Sequence, residues 1–115
     1  MAAADKVVSV MLDLDRSALG AGGVVHVVVE EVTRADAPAT VAARLDLQCE
    51  EIDVAPLLLR VPDVDASKRY SVRVHVDRTG NGRIKPGDMI STQSHPVLTQ
   101  GAPDVAHISP VRVEA

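Results

Sequence analysis

The chain has 115 residues, a length that supports one domain and is too short for two. Its 12 basic and 16 acidic side chains give a net charge of −4, which opposes binding to a phosphate backbone and excludes nucleic acid as an expected partner. The sequence contains 20 valines and one tyrosine, but neither phenylalanine nor tryptophan. Because valine packs well on a pleated surface and aromatic stacking platforms are missing, this composition favours β-sheet and argues against base or sugar binding.

In the first half of the chain, the spacing of apolar residues predicts three strands. Residues 7–14 alternate between apolar and polar, whereas residues 24–32 are apolar on both faces over much of their length. The glycine-rich residues 15–23 form the turn between these two strands. Residues 39–47 alternate again. A helix is the alternative for 39–47, because alanine, arginine and leucine are good helix formers, but the period of two favours a strand.

The second half contains the clearest strand, residues 70–77, with Tyr70 and three valines on one face. A tyrosine at the start of such a strand often ties the preceding corner through its hydroxyl, so we expect a structural role for Tyr70. Shorter strands are predicted at 56–61, 89–94, 96–99 and 105–113. Because Pro110 cannot donate to a β-ladder, we expect the last strand at a sheet edge or bulged there. Seven or eight short strands without a convincing helix predict an all-β, antiparallel two-sheet sandwich in a single domain spanning 1–115.

The loop at residues 77–88 matches part of a calcium-binding loop. Such a loop of about twelve residues places oxygen ligands at fixed positions and a glycine at the sharp turn. Here the ligand positions hold Asp77, Thr79, Asn81, Arg83 and Asp88. Only two of these are carboxylates, and the neighbouring cationic side chains oppose a divalent cation. The alternative is a β-hairpin loop whose Asp and Asn side chains bond their own backbone.

Leu57, Leu58 and Leu59 are the strongest candidates for binding a protein or peptide partner. In an antiparallel sandwich, one face of a strand normally meets water. If Leu57 and Leu59 face the core, Leu58 points outward, where a sheet edge can take up a partner strand by backbone pairing. The alternative is that a loop covers Leu58, since isolated exposed apolar residues are ordinary.

The sequence predicts no enzymatic activity. His26, His75 and His107 lie on predicted strands and can meet if those strands are neighbours, but no two histidines have metal-ligand spacing, which favours surface histidines. A close cluster of His75, His107 and carboxylates would revive an enzymatic interpretation. Cys49 is the one cysteine, so intrachain disulfides and thiolate zinc sites are excluded, and nothing beside it activates the thiol. Neither a nucleophile elbow nor a glycine-rich phosphate loop occurs.

The location that the sequence predicts depends on whether a leader has been removed. The apolar runs are too short to cross a bilayer. The segment 1–6 lacks the charged and then apolar order of a secretory leader, so the sequence as written predicts a cytoplasmic protein. A chain whose leader had been removed would look the same, and we would then expect it in the periplasm or at the outer membrane.

Several segments resemble a known family. Residues 27–39, a valine strand followed by Ala-Asp-Ala-Pro, resemble a signature of the YbaY-like lipoproteins and the YscW-type pilotins of type III secretion, and residues 70–74 with 91–101 resemble the second half of that family. The resemblance implies a β-sandwich. It also implies that some relatives are outer-membrane lipoproteins and that the pilotin branch chaperones a secretin subunit. Because no lipobox cysteine lies near Met1, lipid anchoring is not carried over.

Taken together, the sequence predicts a non-enzymatic binding module of the YbaY/YscW type, acting as a chaperone for a protein or peptide partner and needing no cofactor. The alternative function is a structural β domain with a weak calcium-binding loop at residues 77–88.

Overall fold

A computed structural model describes residues 4–13, 23–33, 38–48, 56–80 and 82–114 as a two-sheet β-fold. The strands in these residues are β1 (Ala4–Leu12), β2 (Val24–Glu31), β3 (Thr40–Gln48), β4 (Leu57–Val64), β5 (Tyr70–Asp77), β6 (Met89–Ile90), β7 (Pro96–Val97), β8 (Val105–Ile108) and β9 (Val111–Arg112). No helix with the length and apolar character to cross a bilayer occurs in this described part of the chain.

The two sheets differ in size. The smaller sheet has three strands in the order β4-β1-β8, and the larger has the order β3-β2-β5-β6-β9, with β7 also paired to β5. The described strand pairs are antiparallel except β1 with β8, which run parallel. The predicted all-β, two-sheet architecture is therefore confirmed, and the parallel pair is an addition that the sequence pattern did not indicate.

Valines from both sheets meet in one core between them. The largest fully buried side chains are apolar except for one, and they are Ile108, Val8, Val10, Val25, Val27, Val29, Val61, Val72, Val74, Val76, Val97 and Asp77. Burying such an apolar side chain stabilises the fold by roughly 1.5–3 kcal/mol, more than the roughly 1 kcal/mol of a typical net hydrogen bond. A slip by one residue would turn these valines to water, so the valine pattern fixes the register of the strands.

The segment for which a helix was the alternative is a strand. Strand β3 pairs with β2 in antiparallel register, with Leu47 opposite Val25 and Leu45 opposite Val27. Strand β2 has partners on both sides, β3 and β5, and its outward Val28 is half-buried. Side chains of the two flanking strands shield part of this outward face from water. Of the first predicted strand, Leu14 lies outside the described residues, as do 15–22 of the predicted turn.

The prediction of one last strand over residues 105–113 was wrong. The chain forms β8 in the smaller sheet, passes through Ser109 and the buried Pro110, and then forms β9 in the larger sheet. Because proline cannot donate to a ladder, it interrupts pairing where the chain changes sheets. Both pieces lie at sheet edges, as the proline predicts. The predicted strands at 89–94 and 96–99 are likewise present but shorter, and Leu98, with a φ of 74°, follows the end of β7.

The predicted role of the tyrosine is confirmed. Tyr70 is 5% exposed and begins β5, and its hydroxyl accepts a hydrogen bond of 3.0 Å from the backbone N–H of Asp65. Asp65 follows the end of β4, so this bond ties the corner that leads from the smaller sheet into the larger one. On the same side of the molecule, Val32 N–H donates to the carbonyl of Arg69 at 2.9 Å.

Candidate functional site

The loop between β5 and β6 begins at a buried carboxylate. Asp77 is fully buried, and it accepts hydrogen bonds from the backbone N–H groups of Gly80 at 2.9 Å and Gly82 at 2.7 Å. These two glycines have φ angles of 70° and 80°, in the left-handed region that glycine adopts without a steric penalty. The carboxylate and the glycines together explain why the chain turns sharply directly after the strand.

A second buried carboxylate closes the loop. Asp88 is 1% exposed and accepts hydrogen bonds of 3.0 Å from the backbone N–H groups of Arg78 and Lys85. Its backbone pairs with Val113, whose N–H donates to the carbonyl of Asp88 at 2.8 Å. Both aspartates therefore bond to the backbone of their own loop, which is the arrangement expected of the hairpin-loop alternative.

The predicted calcium ligands are only partly brought together by this loop. Asn81 lies outside the described residues, and Arg83 is exposed. The Thr79 hydroxyl lies 3.5 Å from Asp77 and is oriented to donate to it. Oxygens of Asp77 and Asp88 accept backbone N–H hydrogen bonds, as described above, so a calcium ion would compete with these donors. Calcium binding by the loop stays a prediction.

The register of the larger sheet aligns a row of polar side chains across β3, β2 and β5. His26 lies opposite Asp46 on one side and opposite His75 on the other. His26 Nδ1 and Asp46 Oδ1 are 2.6 Å apart, and the two imidazole centroids are 5.3 Å apart. The hypothesis that histidines on neighbouring strands meet is thus correct for His26 and His75. His107 lies on β8 of the other sheet, so the cluster that would have revived an enzymatic interpretation does not form.

This row contacts the loop through both of its buried carboxylates. His26 Nε2 lies 3.4 Å from Asp77 Oδ2, and His75 Nε2 lies 3.0 Å from Asp88 Oδ2. The two histidine side chains are 16% and 15% exposed, respectively. We call Asp46, His26, His75, Asp77 and Asp88 the histidine–aspartate row. Asp46 could not be identified as a site residue from the sequence, because only the pairing of β2 with β3 brings it to His26.

Hydrogen bonding keeps the carboxylates of the row ionised. Burial acts to raise the pKa of Asp77, but the hydrogen bonds from Gly82, His26 and Gly80 outweigh it, so the pKa lies below its ordinary value. For Asp88, burial is likewise outweighed by the hydrogen bonds from His75 and the loop backbone, and the pKa is lowered. The pKa of Asp46 is also lowered, because bonds from His26 and Arg44 exceed the effect of burial.

A cavity of about 400 Å³ opens over the row. Its wall includes His26, His75, two arginines and several apolar side chains. Arg44 pairs with Asp46 at 3.1 Å, and Arg73 pairs with Glu30 at 3.2 Å. Val41 and Ile84 are 53% and 59% exposed, respectively, and both line the cavity. The cavity therefore offers solvent a path to both imidazoles.

The predicted partner-binding leucines lie on β4, an edge strand of the smaller sheet. Leu59 is 3% exposed, Leu57 is half-buried against the core, and Leu58 is 61% exposed. The inward and outward orientations are those that alternation predicts, with Leu58 largely exposed. Partner binding by these three leucines stays a prediction.

Leu58 belongs to a larger apolar surface. Ser9 on β1 lies opposite both Leu58 and Val105. Val7 lies two positions before Ser9, on the same face of β1. Val7 is 52% exposed and Val105 is 39% exposed. We call Val7, Leu58 and Val105 the apolar outer face. The sequence analysis did not identify Val7 and Val105 as part of this surface. The feature that could have indicated them is an apolar residue at an outward position of a strand.

Comparison with known proteins identifies a family and a related structure. The family model described as type III secretion system lipoprotein chaperone (YscW) matches residues 3–109. The structure of an alternative pilotin from the type II secretion system of Vibrio cholerae is similar, with a TM-score of 0.76 and 26% sequence identity, over 96% of this chain and 99% of that chain. No curated protein matches the sequence significantly.

Proposed function

Because the chain belongs to the type III secretion system lipoprotein chaperone (YscW) family, we propose that it is a non-enzymatic protein that binds and chaperones a secretin subunit of a secretion system. The family match spans nearly the whole chain, and the similar Vibrio cholerae structure is a pilotin of a different secretion type. One description names a lipoprotein chaperone and the other a pilotin, both of secretion systems, which supports the handling of a protein partner.

The apolar outer face supports this proposal most directly. Val7, Leu58 and Val105 lie on three neighbouring strands, so their exposed side chains belong to one sheet surface. The three side chains surround Ser9 on that surface, and clustered exposed apolar side chains are typical of protein interfaces. A shallow sheet face of this kind fits an apolar segment of a protein better than a small polar ligand.

The edge of β4 supplies the backbone groups that such a segment needs. Within the described strands, β4 forms a ladder only with β1, so its other edge has no ladder partner there. Pro62 lacks an N–H, which limits such pairing to the part of β4 that precedes it. We infer that an extended segment of the secretin subunit pairs beside Leu57–Arg60 and covers Leu58.

Peptide binding tests this function and its surface together. The probes are overlapping peptides that cover the secretin subunits encoded in the same genome, and binding is measured by fluorescence anisotropy. Leu58→Asp should weaken binding of the active peptide by about 30-fold, the effect of losing a contact worth about 2 kcal/mol. Ile84→Asp is the matched control, because Ile84 is equally exposed but lies in the loop beside the other sheet.

The outcomes separate the function from the site. If no secretin peptide binds the wild-type protein, the proposed partner is wrong. A second outcome is that a peptide binds and that Ile84→Asp, but not Leu58→Asp, weakens its binding. The proposed partner would then be correct, but the binding surface would be the cavity over the histidine–aspartate row and not the apolar outer face. Circular dichroism of both variants checks that each keeps its β-structure.

A further inference from the structure

We propose that His26, His75 and Asp77 bind a divalent transition-metal ion, with Zn²⁺ as the best match. Each of these residues offers one ligand atom, and the three atoms lie within 4.8 Å of one another. Zn²⁺ bonds such atoms at about 2.0–2.2 Å, which places two tetrahedral ligands roughly 3.4 Å apart. His26 Nε2 and Asp77 Oδ2 already have a separation of 3.4 Å. This pair therefore already has the separation of two zinc ligands, and His75 offers the third ligand atom within 4.8 Å.

The donor set selects the kind of metal. Two imidazole nitrogens and one carboxylate oxygen are ligands typical of Zn²⁺, and three protein ligands leave a fourth position for water. Calcium instead takes six to eight oxygen ligands, a number that two imidazoles do not help to supply. The proposed site shares Asp77 with the predicted calcium loop, but its chemistry favours a different ion.

The surroundings hold the three ligands in position. His26 Nδ1 donates to Asp46, and its Nε2 proton bonds to Asp77. A metal ion would replace that Nε2 proton, which is released to solvent, and would bind between Nε2 and Asp77. His75 is held by Asp88 through the opposite nitrogen, Nε2, which leaves Nδ1 as the nitrogen for the metal. Carboxylates that orient metal-binding imidazoles through their second nitrogen recur in zinc sites and raise metal affinity. The histidine–aspartate row therefore contains both the ligands and the groups that orient them.

Access to the site fits a cation, and three carboxylates of the row lie beside the two imidazoles. His26 and His75 form part of the wall of the open cavity, so an ion can reach them from solvent. The two arginines of that wall, Arg44 and Arg73, are each paired with a carboxylate. Asp77 remains ionised at neutral pH because hydrogen bonds lower its pKa, so the site presents a negative charge to the metal.

Zn²⁺ titration of the tag-free full chain tests the site. Isothermal titration calorimetry should detect one Zn²⁺ per chain, and His26→Gln or His75→Gln should lower the affinity by more than about 100-fold. Asp46→Asn, which removes an orienting group, should lower it by about 10- to 100-fold. His107→Gln is the matched control, because His107 is an exposed histidine on the smaller sheet. The Zn²⁺ affinity of this variant should equal that of the wild type.

A measurement on the wild type keeps the test independent of variants that fail to fold. One equivalent of Zn²⁺ should shift the imidazole ¹⁵N resonances of His26 and His75 and leave those of His95 and His107 unchanged. Absence of stoichiometric Zn²⁺ binding would overturn the proposal, as would shifts confined to His95 or His107. Equal imidazole shifts with Ca²⁺ would also overturn it, because the donor set would then not select the metal.

Discussion

The outer faces of the two sheets share a backbone plan and carry different chemistry. Both sheets turn valines inward, and their inner faces meet in one core. The outer side of the smaller sheet carries the apolar outer face, with Val7 and Leu58 more than half exposed. The outer side of the larger sheet carries the histidine–aspartate row, whose carboxylates also cap a loop. Alternation thus fixes which side chains face out, but not what those side chains do.

The difference lies in how each face meets water. On the larger sheet, the loop from Asp77 to Asp88 makes the row part of a bonded network, and the described part of the chain contains no buried side-chain nitrogen or oxygen without a partner. On the smaller sheet, the exposed Asp5 and Arg60 pair with each other beside apolar side chains that remain open to solvent. The buried polar groups of the larger sheet are therefore bonded within the chain. The outer face of the smaller sheet instead has exposed apolar area that a partner can cover.

Among the polar interactions of the two faces, the largest expected effect comes from removing a buried charge on the larger sheet. Asp77→Ala should lower the free energy of unfolding by about 2–3 kcal/mol, because it strips hydrogen bonds from the Gly80 and Gly82 amides. Asp5→Ala is the matched change on the other face and should have little measurable effect, since exposed ion pairs are weak. Urea denaturation compares the two variants. Equal losses would mean that the faces do not differ in this way.

Acid should weaken the same network by a smaller amount. The pKa values of Asp77 and Asp88 are lower in the folded than in the unfolded chain, so the unfolded state takes up more protons as the pH falls. The stability they contribute is present above about pH 4 and is lost as the pH drops through the lower folded values. In EDTA, Asp88→Asn should therefore show a shallower decline of stability below about pH 4 than the wild type. Parallel declines would contradict this assignment.

The hydrogen bond between Asp65 and Tyr70, at the corner between the sheets, should contribute less to the free energy of unfolding. Tyr70→Phe removes the hydroxyl that accepts from the Asp65 N–H, and we expect a loss of about 1 kcal/mol in the free energy of unfolding. The ring stays buried, so the dependence of stability on urea should keep its slope. An unchanged midpoint would indicate that apolar packing alone joins the corner to the larger sheet.

The smallest effect is expected on the apolar outer face. Leu58→Ser and Val7→Thr should each change the free energy of unfolding by less than about 0.5 kcal/mol, because both side chains are largely exposed. Leu59→Ala, the buried neighbour, should cost about 2–5 kcal/mol in thermal or urea denaturation. If Leu58→Ser were as costly as Leu59→Ala, Leu58 would belong to the packing of the fold and not to a docking surface.

Much of the local structure was predictable because it depends on neighbouring residues. The alternation in residues 70–77 predicted β5, and the position of Tyr70 predicted its bond to the preceding corner. The alternation in 39–47 predicted β3 despite residues that favour helix. The effect of Pro110 was only half predicted, because proline indicates an edge or interruption but not a change of sheet.

The candidate sites needed information that no single segment contains. His26, Asp46 and His75 come together through two strand pairings, and a shift of either register by one residue would separate them. Val7 and Val105 join Leu58 only because β1 lies between β4 and β8.

The amino-acid sequence by itself determined the longer strands β1 to β5, the inward valine face and the outward position of Leu58. These follow from the period of two, which is a property of one extended backbone and needs no partner. The tertiary structure alone decided the sheet order, the parallel β1–β8 pair and the assembly of the histidine–aspartate row and the apolar outer face. These depend on which distant strands pair and in which register, and many pairings would satisfy the same valine pattern locally.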